Sequence, residues 1–128
     1  MAFEIPGRKI TRVAGADLSA LKHTFVVLDT DGTVIAASAD TEKPYGILQN
    51  NPTAGGEAEI MKDGVSKLIA GEAVNIGEPI GMGATGRGMH YAYATATKFI
   101  VGTALSATTG AGQMMVVDFS CSSPGRGA

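Results

Sequence analysis

The side chains able to carry chemistry are few and far apart. His23 and His90 are the histidines of the chain and Cys121 its cysteine. Zinc sites draw their ligands in closely spaced pairs, and these three residues share no such spacing. A Ser/His/Asp or Cys/His apparatus assembles in space rather than along the chain, but the G-x-S-x-G turn that presents a serine nucleophile does not occur. The run Gly81-Met82-Gly83-Ala84-Thr85-Gly86 fits G-x-G-x-x-G. A dinucleotide site needs a strand before that run, a helix after it and an acid about 20 residues on. Here Glu78-Pro79 precedes it, Arg87-Gly88 follows, and no carboxylate stands between Glu78 and Asp118. A flexible loop is the better reading, and the lysine of a P-loop is also missing. Asp29-Thr30-Asp31-Gly32 opens like a calcium loop, yet Thr33-Val34-Ile35-Ala36 stand where further acidic ligands belong. It reads as a hairpin turn. Asn51-Pro52-Thr53 fails as a glycosylation acceptor because proline is in the middle. No catalytic, cofactor-binding or metal-binding residues are expected, and the chain reads as a non-enzyme.

The elements that would position these residues are short and β-rich. Thr24–Asp29 and Thr33–Ala37 flank Asp31-Gly32, a pair that readily supplies the positive φ of a hairpin turn. Glu57–Met61 and Val65–Ile69 flank Lys62-Asp63-Gly64 and predict a second hairpin. Further strands are expected at Tyr45–Gln49, Ala73–Ile76, Lys98–Leu105 and Gln113–Phe119, with weak alternation from Met89 to Ala94. Helical periodicity is missing, and the Ala-rich stretches are broken by Gly and Thr. Regularly spaced short strands predict an all-β fold, a small β-sandwich or barrel. An offset of 56 residues aligns Ala14-Gly15 with Ala70-Gly71, Gly32 with Gly88, Gly46 with Gly102 and Gly56 with Gly112. Residues 14–69 and 70–125 would then be two related β-units, against the alternative of coincidence between Gly- and Ala-rich segments.

The chain has 128 residues, enough for one compact domain. It is divided here into an N-terminal arm (1–23), a β domain (24–119) and a flexible C-terminal tail (120–128). A hydrophobic fraction of 45% with aromatics at only 5% implies a core of small side chains, modest in apolar area. The net charge of −2 argues against a general nucleic-acid binder, and no apolar run is long enough to span a membrane. The first residues lack the apolar segment of a secretory signal, so synthesis in a cytoplasm is expected. Cations cluster in the arm, at Arg8, Lys9 and Arg12, beside the apolar anchors Phe3 and Ile5. Such a segment is too broken to fold alone. The alternative to a solvated patch is an extended arm that docks on a neighbour, so that removing residues 2–13 would weaken attachment and leave the domain folded.

Asp29–Val34, the long run Tyr45–Ala58 (YGILQNNPTAGGEA), Asp63–Val65 and Ala70–Pro79 (AGEAVNIGEP) together resemble the small capsid decoration, or cement, proteins of tailed bacteriophages. Ile100–Leu105 and Gly112–Val117 are similar to the last hairpin of that family. The resemblance covers roughly residues 24–119 and rests on turns and glycines. It implies a structural virion protein on the outer capsid surface that stabilises the shell, with the major capsid protein and its own copies, as a homotrimer, for partners. It implies no cofactor, no nucleic acid and no membrane. Two alternatives stay open: a β-clip-like ligand-binding or enzymatic domain, suggested by Ala73–Ile80, and a receptor- or glycan-binding head fibre protein, for which Tyr45, Tyr91 and Tyr93 are the available stacking rings.

Overall fold

The computed structural model describes residues 5–91, 98–121 and 125–126. Twelve strands follow one another: β1 (Ile5–Pro6), β2 (Lys9–Val13), β3 (Phe25–Leu28), β4 (Val34–Ala36), β5 (Gly46–Leu48), β6 (Glu57–Met61), β7 (Asp63–Ile69), β8 (Pro79–Met82), β9 (Gly88–His90), β10 (Phe99–Ala104), β11 (Met114–Ser120) and β12 (Gly125–Arg126). No helix occurs among the described residues. The strands form two sheets. One has the order β2-β6-β5-β3-β4; the other runs β1-β7-β11-β10-β8-β9, with β12 also paired to β10. All strand pairs are antiparallel. The all-β sandwich predicted from strand lengths and turn residues is the fold observed.

The centre of the five-stranded sheet, β3 and β5, is buried on both faces. Toward the other sheet the five-stranded one presents Phe25, Val27, Ile47 and Met61, which pack with Leu68, Ile80, Met82, Ala104, Met115, Val117 and Phe119 in the main core. On its far face Val26, Val34, Leu48, Ala58 and Ile60 form a second core, closed by Ala14 and Leu18 and flanked by Ile10, Leu21 and Tyr45. Double burial explains why β3 and β5 read as unbroken apolar runs rather than alternating ones. The lid over the far face hangs on backbone bonds, Leu18 N to Pro52 O and Leu21 N to Leu18 O. Asp17 accepts from the Ser19 amide there and caps no helix.

The two sheets repeat one pattern. β2, β6, β5, β3 and β4 occur in the same spatial order as β7, β11, β10, β8 and β9. The parallel bridge Ala14–Val34 is matched by Ala70–Gly88. Bonds match as well: Leu18 N to Pro52 O with Val74 N to Thr108 O, His23 N to Leu48 O with Gly77 N to Ala104 O, and Gly55 N to Ala14 O with Gly112 N to Ala70 O. The offset is 56 residues at Ala14/Ala70, but 54 at Val26/Ile80 and 57 at Ile60/Val117. The gapless alignment of Gly32 with Gly88 is therefore displaced; the counterpart of Gly32 is Gly86, and both have positive φ. Gly46 and Gly102 do correspond, and a Cβ on either would collide with the adjacent strand, at Ile60 and at Asp118 respectively.

Four expectations need correction. Residues 1–23 are extended where described, but they are no separate arm: β2 pairs with β6 over five residues and β1 pairs with β7. Its Ile10 and Arg12 turn inward while Lys9, Thr11 and Val13 stay exposed, which is the period-2 signal of an edge strand. Lys62-Asp63-Gly64 turns no hairpin, because β6 and β7 lie in different sheets and the segment is the passage between them. Ala73–Ile76 forms no strand beyond a bridge at Val74. The C-terminal tail is partly tied down, since Gly125 and Arg126 pair with Ile100 and Phe99. Phe3, most of 91–97 and the remainder of the tail lie outside the described residues.

Two expected outcomes follow. Deleting residues 2–13 strips β6 of its neighbour and should lower the melting temperature of the isolated domain, in contrast to a dispensable arm. At the matched pair His23 and Gly77, both residues have left-handed backbone, φ 64° and 88°. Nothing stands within 4 Å of a Cβ placed on Gly77, so substitution there tests the backbone alone. Gly77→Val is expected to cost about 1–3 kcal/mol and Gly77→Asn distinctly less, because Asn tolerates this region and β-branched residues do not. Denaturant unfolding of the two variants measures the difference.

Candidate functional site

A basic cleft lies at one end of the five-stranded sheet. Antiparallel pairing brings the start of β2, the end of β6, the start of β5 and the end of β3 together there. The cleft encloses about 390 Å3 and is lined by Arg8, Leu28, Lys43, Pro44, Tyr45, Lys62 and Cys121. The backbone of Arg8 is fixed on both sides: its amide donates to Asp63 Oδ1 (2.7 Å) and its carbonyl accepts from the Lys62 amide (2.7 Å). The amide of Cys121 donates to Lys62 O and brings the end of β11 against the same corner.

Tyr45 and Lys62 form the floor. Lys62 is only 9% exposed. Its Nζ donates to the carbonyl of Tyr45 and stands 3.6 Å from the centroid of the Tyr45 ring, a distance at which the ring quadrupole attracts a cation. Arg12 approaches the same ring, with Cζ 5.9 Å from the centroid, and donates from Nε to Tyr45 Oη (3.2 Å) and from Nη1 to Gly32 O (3.4 Å). Burial holds the ammonium of Lys62 below its ordinary pKa, and the cations Arg8, Lys43 and Arg12 press in the same direction. The ion pairs among the described residues are His90–Glu78 (3.1 Å) and Lys98–Asp40 (2.6 Å). Neither Arg12, Lys43 nor Lys62 takes part in one.

The residues singled out from sequence are distributed unevenly. Arg8 lines the cleft and Arg12 backs it, whereas Lys9 lies on the exposed side of β2. The backbone of Ile5 pairs with Val65 on the other sheet, and Phe3 lies outside the described residues. Lys43 and Lys62 were not legible as site residues, because no local motif links them, and Tyr45 was singled out only as a stacking ring for a glycan. His23, His90 and Cys121 stand on different elements, and no group of three His, Cys, Asp or Glu side chains able to hold a metal occurs among the described residues. The G-x-G-x-x-G run is the β8–β9 turn, matched to Asp29–Gly32 in the β3–β4 turn by the bonds Gly83 N to Arg87 O and Asp29 N to Thr33 O. In that first turn Asp31 Oδ1 accepts from the Thr33 amide (3.0 Å) and hydroxyl (2.6 Å), and these bonds lower its pKa. Its carboxylate serves the turn.

No family model matches the sequence, and no curated protein matches it. The fold is similar to the solved N base of the head fibre gp8.5 of bacteriophage phi29: the TM-score is 0.69 with 15% of residues identical, over 89% of this chain and 94% of that one.

Cys121 provides a test of how tightly this corner is closed. The thiol is 1% exposed, and burial pushes its pKa up to about 12 although Lys62 pulls the other way. The thiolate is the reactive form, so the native chain at pH 8 should react with a disulfide reagent at least about 100-fold more slowly than the unfolded chain. In guanidinium the thiol should titrate promptly. The stability effect has one sign: below pH 9 both states are protonated and nothing changes, while between pH 9 and 12 the unfolded chain ionises and the folded chain does not. Stability then falls as pH rises, and Cys121→Ala should lose less of it over that window.

Proposed function

We propose that this chain is a structural, non-catalytic protein of a tailed-phage virion, attached to the outer surface of the head. The observation that carries this reading is the extent of the likeness to a head fibre base, which takes in nearly the whole of both chains. The resemblance of Tyr45–Ala58 and Ala70–Pro79 to capsid decoration proteins points to the same location from the sequence side. The site chemistry is consistent with it: the cleft is lined by the cations Arg8, Lys43 and Lys62, the last held on the Tyr45 ring and carbonyl, a surface suited to docking. Attachment is to the major capsid protein, with further contacts between copies of the chain in a homotrimer. Many modest contacts repeated by symmetry would then reinforce the shell.

A second reading has a specific observation behind it. Since the similar solved structure is the base of a fibre, this chain is alternatively a mounting module that binds the head without reinforcing it. Particles stripped of the protein separate the two. They should keep their geometry under electron microscopy in either case. A cement role predicts that the stripped shell melts at a lower temperature than the decorated one, and a mounting role predicts equal melting. Absence of the chain from the outer surface of intact particles would reject both.

A further inference from the structure

We infer that the cleft over Tyr45 and Lys62 binds the carboxylates of an acidic, partly apolar peptide segment belonging to a partner protein. The inference goes beyond a virion role and stands whether or not the chain sits on a phage head.

The first ground is the cost of Lys62. Lys62 is 9% exposed as a residue and has no carboxylate paired to its ammonium, which is partly buried in the cleft wall, so desolvation works against its charge. Its partners are a carbonyl oxygen and a ring face, which solvate the charge without neutralising it. The nearby cations raise the penalty further. An incoming anion would remove the repulsion and pair the buried charge in one step.

The second ground is independent and comes from the matched sheets. Counterparts of Arg12, Tyr45 and Lys62 in the second unit are Leu68, Val101 and Phe119, at the offsets fixed by Ala14/Ala70, Gly46/Gly102 and Ile60/Val117. Those three side chains are sealed in the main core beneath the other sheet. The same face of the first unit has no sheet over it, and at these three positions it carries two cations and a phenol in place of apolar side chains. Simple solvent exposure would be met by exposed lysines. Here one ammonium is instead drawn down onto a ring inside a cleft.

The lining selects the class of ligand. The volume suits one or two side chains rather than a nucleic-acid duplex. Arg12 already spends Nε and Nη1 on Tyr45 and Gly32, so its two-pronged grip is compromised for carboxylate and phosphate alike, and the ammonium groups of Lys43 and Lys62 are left to attract the anion. The remaining wall is apolar, with Leu28 45% exposed beside Pro44. An acid next to an aliphatic residue on an extended segment satisfies both parts.

The test uses the full chain and three probes at equal ionic strength: the capped peptide Ac-Asp-Glu-Leu-Asp-Glu-NH2, its neutral analogue Ac-Asn-Gln-Leu-Asn-Gln-NH2, and the oligonucleotide dT5. The acidic peptide should shift the amide resonances of Tyr45, Lys62 and Cys121 saturably and raise the melting temperature. Lys43→Ser, at an exposed position that should leave folding intact, and Lys62→Met should each weaken binding by about tenfold or more. Lys62→Met should also melt, without ligand, no lower than the parent chain, as expected when a residue is kept for binding rather than stability. Equal binding of the neutral peptide, unaltered binding by Lys43→Ser, or tighter binding of dT5 would each overturn the inference.

Discussion

The packing of Phe25, Val27, Ile47 and Met61 against Leu68, Met115, Val117 and Phe119 is the contact on which the rest of the architecture depends. Few aromatic rings contribute to it, so closeness of approach must supply what side-chain size does not. Gly86 shows how that closeness is achieved, since a Cβ there would meet the carbonyl oxygen of Phe25 in the other sheet. Cross-links between the sheets then come from the backbone itself. The Phe25 amide donates to Gly86 O and the Ile69 amide to His23 O, while Gln49 Nε2 reaches Ser66 Oγ at 3.1 Å. Short strands, tight turns and small residues are one solution, and each element requires the others.

Sequence reading reached the parts of this fold that local chemistry governs. The β3–β4 hairpin follows from Asp31-Gly32, and the turn is closed by its own carboxylates: Asp29 Oδ1 accepts from the Thr30 amide and Asp31 from Thr33. The same logic misled at Lys62-Asp63-Gly64. Gly64 has the positive φ expected there, 117°, but a left-handed residue can turn a chain within a sheet or carry it to the next one, and only tertiary packing decides. The N-terminal segment was misjudged for a similar reason. Burial alternates from Lys9 to Val13 as in an edge strand, but the residue types do not, since Arg12 faces inward and Val13 outward, and the charges read as a solvated arm. What recruits it is the free edge of β6, a partner nearly fifty residues away in sequence.

The candidate site was half visible. Arg8 and Arg12 form a local cluster and could be flagged from composition, but Lys43, Tyr45 and Lys62 converge only because three strands of one sheet end at the same corner. A signal did exist in the internal repeat. At the fixed offset of 56 residues Arg12 already falls opposite Leu68, and once the offset is allowed to reach 57, Lys62 falls opposite Phe119. A charge standing where a sibling unit keeps a core residue marks a surface that has diverged. A one-residue change in length between the units hid the Lys62 correspondence from a gapless comparison, which places Asp118 opposite it.

The outer edges of the two sheets are finished differently. In the seven-stranded sheet the outer edge of β7 is occupied at both ends, by β1 opposite Gly64 and Val65 and by the His23 carbonyl at Ile69. In the five-stranded sheet β2 holds the equivalent position, and among the described residues it pairs with β6 alone. An open edge invites another strand, and proteins blunt such edges with charge. Lys9 on the exposed side of β2 has that effect, while Arg12 on the inward side turns its guanidinium to Tyr45 and Gly32. The cations of this segment thus divide between two tasks. One keeps an edge from indiscriminate pairing, and the others shape the cleft beside it, so that recognition at this end of the molecule runs through a charged pocket rather than through backbone addition.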